Sequence, residues 1–189
     1  MKRHPLLLAV FAAAALLAGC RRAPTVDPAA GSTDKPSLIF QGFEARASHR
    51  GQLVWEAKAV RAKVYRQGQK AMAEDVTMDY FVKGKRVSTG HADRASMDLK
   101  AYDMEADGNV VVQGSNHVVL MTPHLTWDNK RQRASSNSSV RVLRGSTVLT
   151  GRGFSADREL HDVRIFQDVQ AEASSVQELR KEAAGWPKH

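Results

Sequence analysis

Cysteine is almost missing from this 189-residue chain: there is one, Cys20. An intramolecular disulfide framework, a CxxC redox pair and a cysteine-rich zinc site are therefore excluded. No apolar run reaches the ~20 residues that a membrane-spanning helix needs, which removes channels and polytopic transporters. Aromatic residues are sparse at 6%, but hydrophobic residues reach 42%, enough for a packed domain. No ten-residue helical pattern separates the extended segments, so parallel βαβ units are excluded. Catalytic signatures are missing too. There is no Gly-x-Ser-x-Gly, and no Ser/His/Asp order comes with a supporting frame. His117 and His124 are seven apart and expected on opposite strand faces, while His91-Ala-Asp93 and His161-Asp162 lack a third ligand. Gly151-x-Gly153-x-x-Ala156 lies in a strand pattern with no following helix, so it is no dinucleotide fingerprint. The chain reads as a non-enzyme that needs no cofactor and no metal.

What is present begins with an address. Met1-Lys2-Arg3-His4 is a basic start, and Pro5 to Cys20 carries no charge. This is the n-region and h-region of a secretory signal, too short to span a bilayer. Leu17-Ala18-Gly19-Cys20 resembles the lipobox of bacterial lipoproteins. That resemblance implies cleavage of residues 1–19 and a lipid on Cys20; the other reading is an uncleaved short anchor. Losing Lys2 and Arg3, with no acid, lowers the net charge from +8 to +6. A basic balance suits acidic partners such as anionic headgroups or phosphorylated glycolipids. Export to the periplasm argues against nucleic acid, and the scattered charges equally suit a solvated surface.

Residues 20–37 hold Pro24, Pro28, Pro36 and Gly31 and read as a lipidated N-terminus with a flexible tether. From residue 38 the pattern turns to alternation at period two. Leu53, Trp55, Ala57 and Ala59 share a face, as do Val76, Met78, Tyr80 and Val82. Met97 with Leu99, Tyr102 with Met104 and Ala106, Val140 with Val142, and Val163 with Ile165 continue it, with a slip before Val169 and Ala171. Such runs are half-buried strands. Turn signals separate them at Gln67-Gly68-Gln69, Lys83-Gly84-Lys85, Asp107-Gly108, Gly114-Ser115-Asn116, Asp128-Asn129-Lys130 and Arg144-Gly145-Ser146. Asp107-Gly108 is the strongest hairpin cue among them.

A repeat underlies the alternation. Asp98, Asp128 and Asp157 are each followed twelve residues later by a valine (Val110, Val140, Val169). Each is preceded at two positions by Ser96, Thr126 or Ser155, and at three by Ala95, Leu125 or Phe154. A period near 30 points to stacked strand–turn–strand units, with aspartates in turns and valines in the core. The expected domain runs from 38 to 173. The tail 174–189 opens with the capping box Ser175-Val-Gln-Glu178, which suits a short helix through Ala184 or a frayed end.

A stack of hairpins without chemistry reads as a binding protein. Its apolar face gathers Trp55, Met78, Tyr80, Met97, Leu99, Leu120, Trp127, Phe154 and Ile165, which either meet in a closed core or line an open groove. Its terminal strands offer unpaired backbone groups to another strand.

A specific resemblance joins these features. Phe43-x-Ala45, then Gly51-Gln52-Leu53-Val54-Trp55-Glu56-Ala57-x-Ala59, resembles the opening strands of the LptC family, the periplasmic component of the lipopolysaccharide export machine. Leu120-Met-Thr122-Pro-His-Leu125-Thr-Trp127-Asp128, Ser139-Val140 and Leu149-Thr-Gly151-x-Gly153-Phe154-x-Ala-Asp157 resemble that family's repeat. The similarity covers about residues 38–171.

The resemblance implies an all-β, twisted, partly open antiparallel β-jelly roll built from stacked hairpin repeats. It further implies acyl chains of lipopolysaccharide in an apolar groove, with phosphates and sugars outside. Strands around Leu38–Tyr65 would meet an inner-membrane ABC transporter. Those around Leu160–Ala171 would meet an LptA-like periplasmic bridge protein. It places the chain on the periplasmic side of the inner membrane, held by Cys20. Arg21 is not the aspartate of the usual inner-membrane retention signal, which leaves an outer-membrane anchor open. The competing reading is a structural lipoprotein that scaffolds envelope proteins by strand addition, with a closed dry core.

Overall fold

The structure, a computed structural model, describes residues 35–173. The signal segment, Cys20, most of the tether and the tail from 174 lie outside the described residues. All nine elements within them are strands: β1 Leu38–His49, β2 Gln52–Tyr65, β3 Lys70–Val82, β4 Lys85–Asp98, β5 Met104–Gly114, β6 Val119–Asp128, β7 Arg133–Arg144, β8 Thr147–Asp157 and β9 Val163–Ala173. They form one antiparallel sheet in sequence order, so β1 and β9 are open edges.

Three of the four turns at one end of the sheet have two residues, and in two of them the sequence supplies a left-handed pair. Arg50-Gly51 and Lys83-Gly84 both have φ between +51° and +76°, as a type I′ turn requires. Gly145, at φ +62°, opens the two-residue turn between β7 and β8. At the other end β4, β6 and β8 finish on the repeat's aspartates. Asp98 accepts the backbone N–H groups of Lys100 and Ala101 at 2.7 Å. Asp128 accepts that of Arg131 at 2.7 Å, and Asp157 that of Asp162 at 3.2 Å. The period near 30 is thus one hairpin pair with an aspartate closing the turn. The same closure stops β4 before Leu99, which lies in the turn, 36% exposed, rather than on the strand.

Asp107-Gly108 is not a hairpin. It lies inside β5, with left-handed Gly108 (φ +76°) and Asn109 (φ +44°) bulging the strand between its pairings at Asp107 and Val110. A turn dipeptide and a bulge need the same positive φ, so the local signal cannot separate them. This bulge has counterparts in mid-strand on both sides. Gly42, Asp75, Gly153 and Asp168 have φ of +53° to +69°, and pairing is interrupted near 92–93 of β4, 122–125 of β6 and 137–138 of β7. Together they form a crease that crosses the sheet. On β2 the inward residues change from odd numbers (Ala59, 8% exposed) to even (Ala62, 4%) as the crease passes, leaving Val60 58% exposed. The crease is stitched by polar contacts. Asn109 donates to Asp93 at 2.9 Å, His124 Nδ1 hydrogen-bonds Asp107 at 2.7 Å, and the Thr122 hydroxyl donates to the Ser139 carbonyl at 2.8 Å.

The crease folds the sheet over itself. Arg144, at the far end of β7, reaches the Leu160 carbonyl in the β8–β9 loop at 3.5 Å. A straight β8 of 11 residues would hold those ends ~35 Å apart. The core lies where the halves close, around Leu120, Val142, Phe154, Ala156 and Leu160, all at most 2% exposed. Replacing Gly108 by alanine would force a side chain into the left-handed region and against the Asp93 carboxylate. The expected cost is about 1–2 kcal/mol, read as a lower midpoint in urea with an unchanged slope.

Candidate functional site

Residues directly opposite on paired strands share a face, so the ladder defines what points inward. One inward row runs Ala57, Met78, Gly90, Val112, Leu120, Val142, Leu149 from β2 to β8. Another, past the crease, runs Val64, Ala71, Met97, Met104, Trp127, Ala134, Ala156. Between the rows, in the middle of the sheet, lies a cavity of about 120 Å³. It exists because β4 and β5 present small inward residues there (Gly90, Ala92, Ala95, Ala106), while larger ones (Val76, Met78, Val112, Leu125) form its sides. Small side chains opposite one another leave volume that a core of leucines would fill.

Tyr80 and Trp127 close one side of the cavity. They stand at opposite ends of the sheet, three strands apart, but their ring centroids are 5.7 Å apart. Only the folded sheet allows this. The Arg158 guanidinium carbon lies 5.5 Å from the Tyr80 centroid and 5.9 Å from that of Trp127. Burial pushes the Tyr80 phenol up to about 12, against a smaller opposing pull from Arg158, so the ring stays neutral at physiological pH. An unfolded tyrosine ionises near 10, before the folded one. Stability supplied by the neutral phenol is therefore full below pH 10 and lost between pH 10 and about 12. Tyr80→Phe should show a shallower alkaline decline in melting temperature over that window.

The interior opens toward β1. Phe40 and Phe43 lie opposite inward Ala62 and Ala59, with their rings 5.6 Å apart. Phe40 is 39% exposed, against 0% for Phe154 at the closed end. Among the described residues, this leaves a strip of uncovered apolar surface along the inner face of β1.

Of the sequence candidates, Met78, Tyr80, Leu120 and Trp127 line the cavity. Phe154 is fully buried in the neighbouring core, and Ile165 packs against that core from β9. Trp55 lies opposite Tyr80 and is half-buried, away from the cavity. Met97 belongs to an inward row but does not reach the cavity, and Leu99 is in a turn. Arg158, Leu160 and the small residues were missed. The small residues had a signal, since alanines and glycine at inward positions of successive strands mark missing volume. Gly151 and Gly153 are explained by packing: a Cβ at Gly151 would strike Ile165 and the Gln167 carbonyl, and Gly153 has φ +69°. Among the described residues no group of three or more His, Cys, Asp or Glu could hold a metal, and no helix is long and apolar enough to cross a membrane.

Comparison with known proteins gives one family and one fold. The profile of the family described as "Lipopolysaccharide-assembly, LptC-related" matches residues 6–173. Among solved structures, the chain is similar to LptH from Pseudomonas aeruginosa, described as the LptA-homologous periplasmic component of the lipopolysaccharide transport device. The TM-score is 0.52 at 11% identity, covering 68% of this chain and all of that one. No curated protein sequence matches the chain.

Proposed function

Because the chain belongs to the LptC-related lipopolysaccharide-assembly family, we propose that it takes lipopolysaccharide from an inner-membrane ABC transporter and passes it to a periplasmic bridge protein. It is a periplasmic component of lipopolysaccharide transport, and this family works by carriage rather than catalysis. The observation that carries the finer reading is the inner face. It is apolar from β1 to β8, filled around Phe154, hollow between β3 and β6, and open at β1. Each acyl methylene moved from water onto such a face is stabilised by ~0.8 kcal/mol, enough to hold a chain with no covalent step.

In this reading the open inner face at β1 and β2 receives the chain from the transporter. The free edge of β9 accepts a strand of the bridge protein, so that the two grooves run on from one to the other. Cys20 carries the lipid anchor after removal of residues 1–19, residues 21–37 are the tether, and 38–173 the transport domain. The energy comes from the partner's ATP hydrolysis.

The test is photo-crosslinking in membranes from a diazirine side chain at Met78, with Lys130 in an exposed turn as control. A lipopolysaccharide adduct at Met78 alone, and only with ATP, is expected. Equal adducts at both positions, or none with folded protein present, would leave only a scaffold.

A further inference from the structure

Resting on the reading above, that the interior takes acyl chains, we propose that Arg158 recognises the phosphate group of an amphipathic lipid on the Tyr80–Trp127 side of the cavity. The cavity wall is mostly apolar; its inward polar groups, the Ser88 hydroxyl and the Tyr80 phenol, carry no charge to distinguish one headgroup from another. Arg158 is the cation placed to do so. Other arginines at the same end of the sheet are already paired: Arg133 and Arg164 each lie 3.1 Å from the Asp162 carboxylate, and Arg131 lies 2.7 Å from Asp128. Arg158 has no ion-pair partner among the described residues, and its recorded contacts are the Tyr80 and Trp127 rings.

The nearby acids are otherwise engaged. Asp157 accepts the Asp162 N–H at 3.2 Å, and Glu159 lies 3.3 Å from His161. Glu105, also at the cavity wall, alternates with inward Met104 and Ala106 and is exposed.

The loop that carries Arg158 is fixed in advance. Leu160, two residues on, is 2% exposed in the core, with a left-handed φ of +55°. Its N–H donates to the Asp157 carbonyl at 3.2 Å, and its own carbonyl accepts from Asn116 at 3.2 Å and from Arg144 at 3.5 Å. A ligand therefore meets a cation whose backbone is already ordered, which lowers the entropy lost on binding. A guanidinium resting on an aromatic ring uses its face. Its in-plane N–H donors stay available for bidentate pairing with phosphate. An acyl chain in the cavity with its phosphate beside Arg158 satisfies both chemistries at once.

The experiment titrates full-length protein with three probes: a phosphorylated acylated disaccharide lipid, the same lipid dephosphorylated, and inorganic phosphate. Wild type should prefer the phosphorylated lipid by about tenfold, the scale of a charge-assisted pair, and should not bind inorganic phosphate. Arg158→Gln should erase that preference while affinity for the dephosphorylated lipid stays unchanged, and Arg158→Lys should keep part of it. A preference that survives in Arg158→Gln overturns the assignment. So does an equal loss for both lipids, which would mean Arg158 only supports the fold, or wild-type binding of inorganic phosphate alone. Equal wild-type affinity for the two lipids sinks this inference and leaves the transport reading standing. Binding of neither lipid sinks both.

Discussion

Phe154→Ala is expected to cost about 3–5 kcal/mol, the range for deleting a fully buried phenylalanine. The ring is 0% exposed and belongs to the cluster with Leu120, Trp127, Val142 and Leu160. Those residues come from β6, β7, β8 and the β8–β9 loop, so the hole opens where the folded halves of the sheet meet. Neighbouring backbone cannot collapse into it, because Gly153 beside it is held at φ +69° and β9 is fitted closely over Gly151. Such a loss is a large share of the 5–15 kcal/mol that holds a typical domain together. Denaturant unfolding at 25 °C should show the midpoint falling far more than for Phe43→Ala, whose ring lies on the open inner face of β1. Equal losses would mean that the two ends of the sheet are packed alike.

Met78→Glu should do the reverse, leaving the fold and removing the lipid. Met78 is half-buried at the cavity side and stands outside the packed cluster around Phe154. Its carboxylate replacement faces open cavity, so the melting temperature should fall by only a few degrees. For an acyl chain the change is severe, since burying a charge against hydrocarbon without a partner costs several kcal/mol. Affinity for lipopolysaccharide should drop by more than about a hundredfold, at ~1.4 kcal/mol per factor of ten. Co-purification of lipid with wild type and variant reads this directly, and lipid retained by a folded Met78→Glu would move binding elsewhere. Trp127, which sequence reasoning alone would also substitute here, is the wrong choice. At 6% exposure and inside the core cluster, a polar replacement there would unfold the domain as well.

The all-β ladder was legible because period-two alternation is a direct image of a half-buried strand, and the 30-residue repeat because β4, β6 and β8 end on the same aspartate turn. The fold-over was not legible, although its residues were visible. Asp107-Gly108 reads as a hairpin from local chemistry, and only its pairing with β4 and β6 turns it into a bulge. The slip before Val169 was the same event on β9, where Asp168 sits at φ +53°. The cavity was half legible. Large apolar residues attract notice, so Met78, Tyr80, Leu120 and Trp127 stood out, while Gly90, Ala92, Ala95 and Ala106, which make the space, look like filler. Arg158 had no local signal, because its meaning comes from two rings brought together from opposite ends of the sheet.

The central claim is that lipid chains enter the space beside Trp127. In full-length protein with Trp55 and Trp186 changed to phenylalanine, Trp127 is the one remaining tryptophan. Its emission should be quenched by lipopolysaccharide carrying brominated acyl chains, and unaffected by the unbrominated form, because bromine quenches only at contact range. Bound brominated lipid that leaves Trp127 emission unchanged would contradict it.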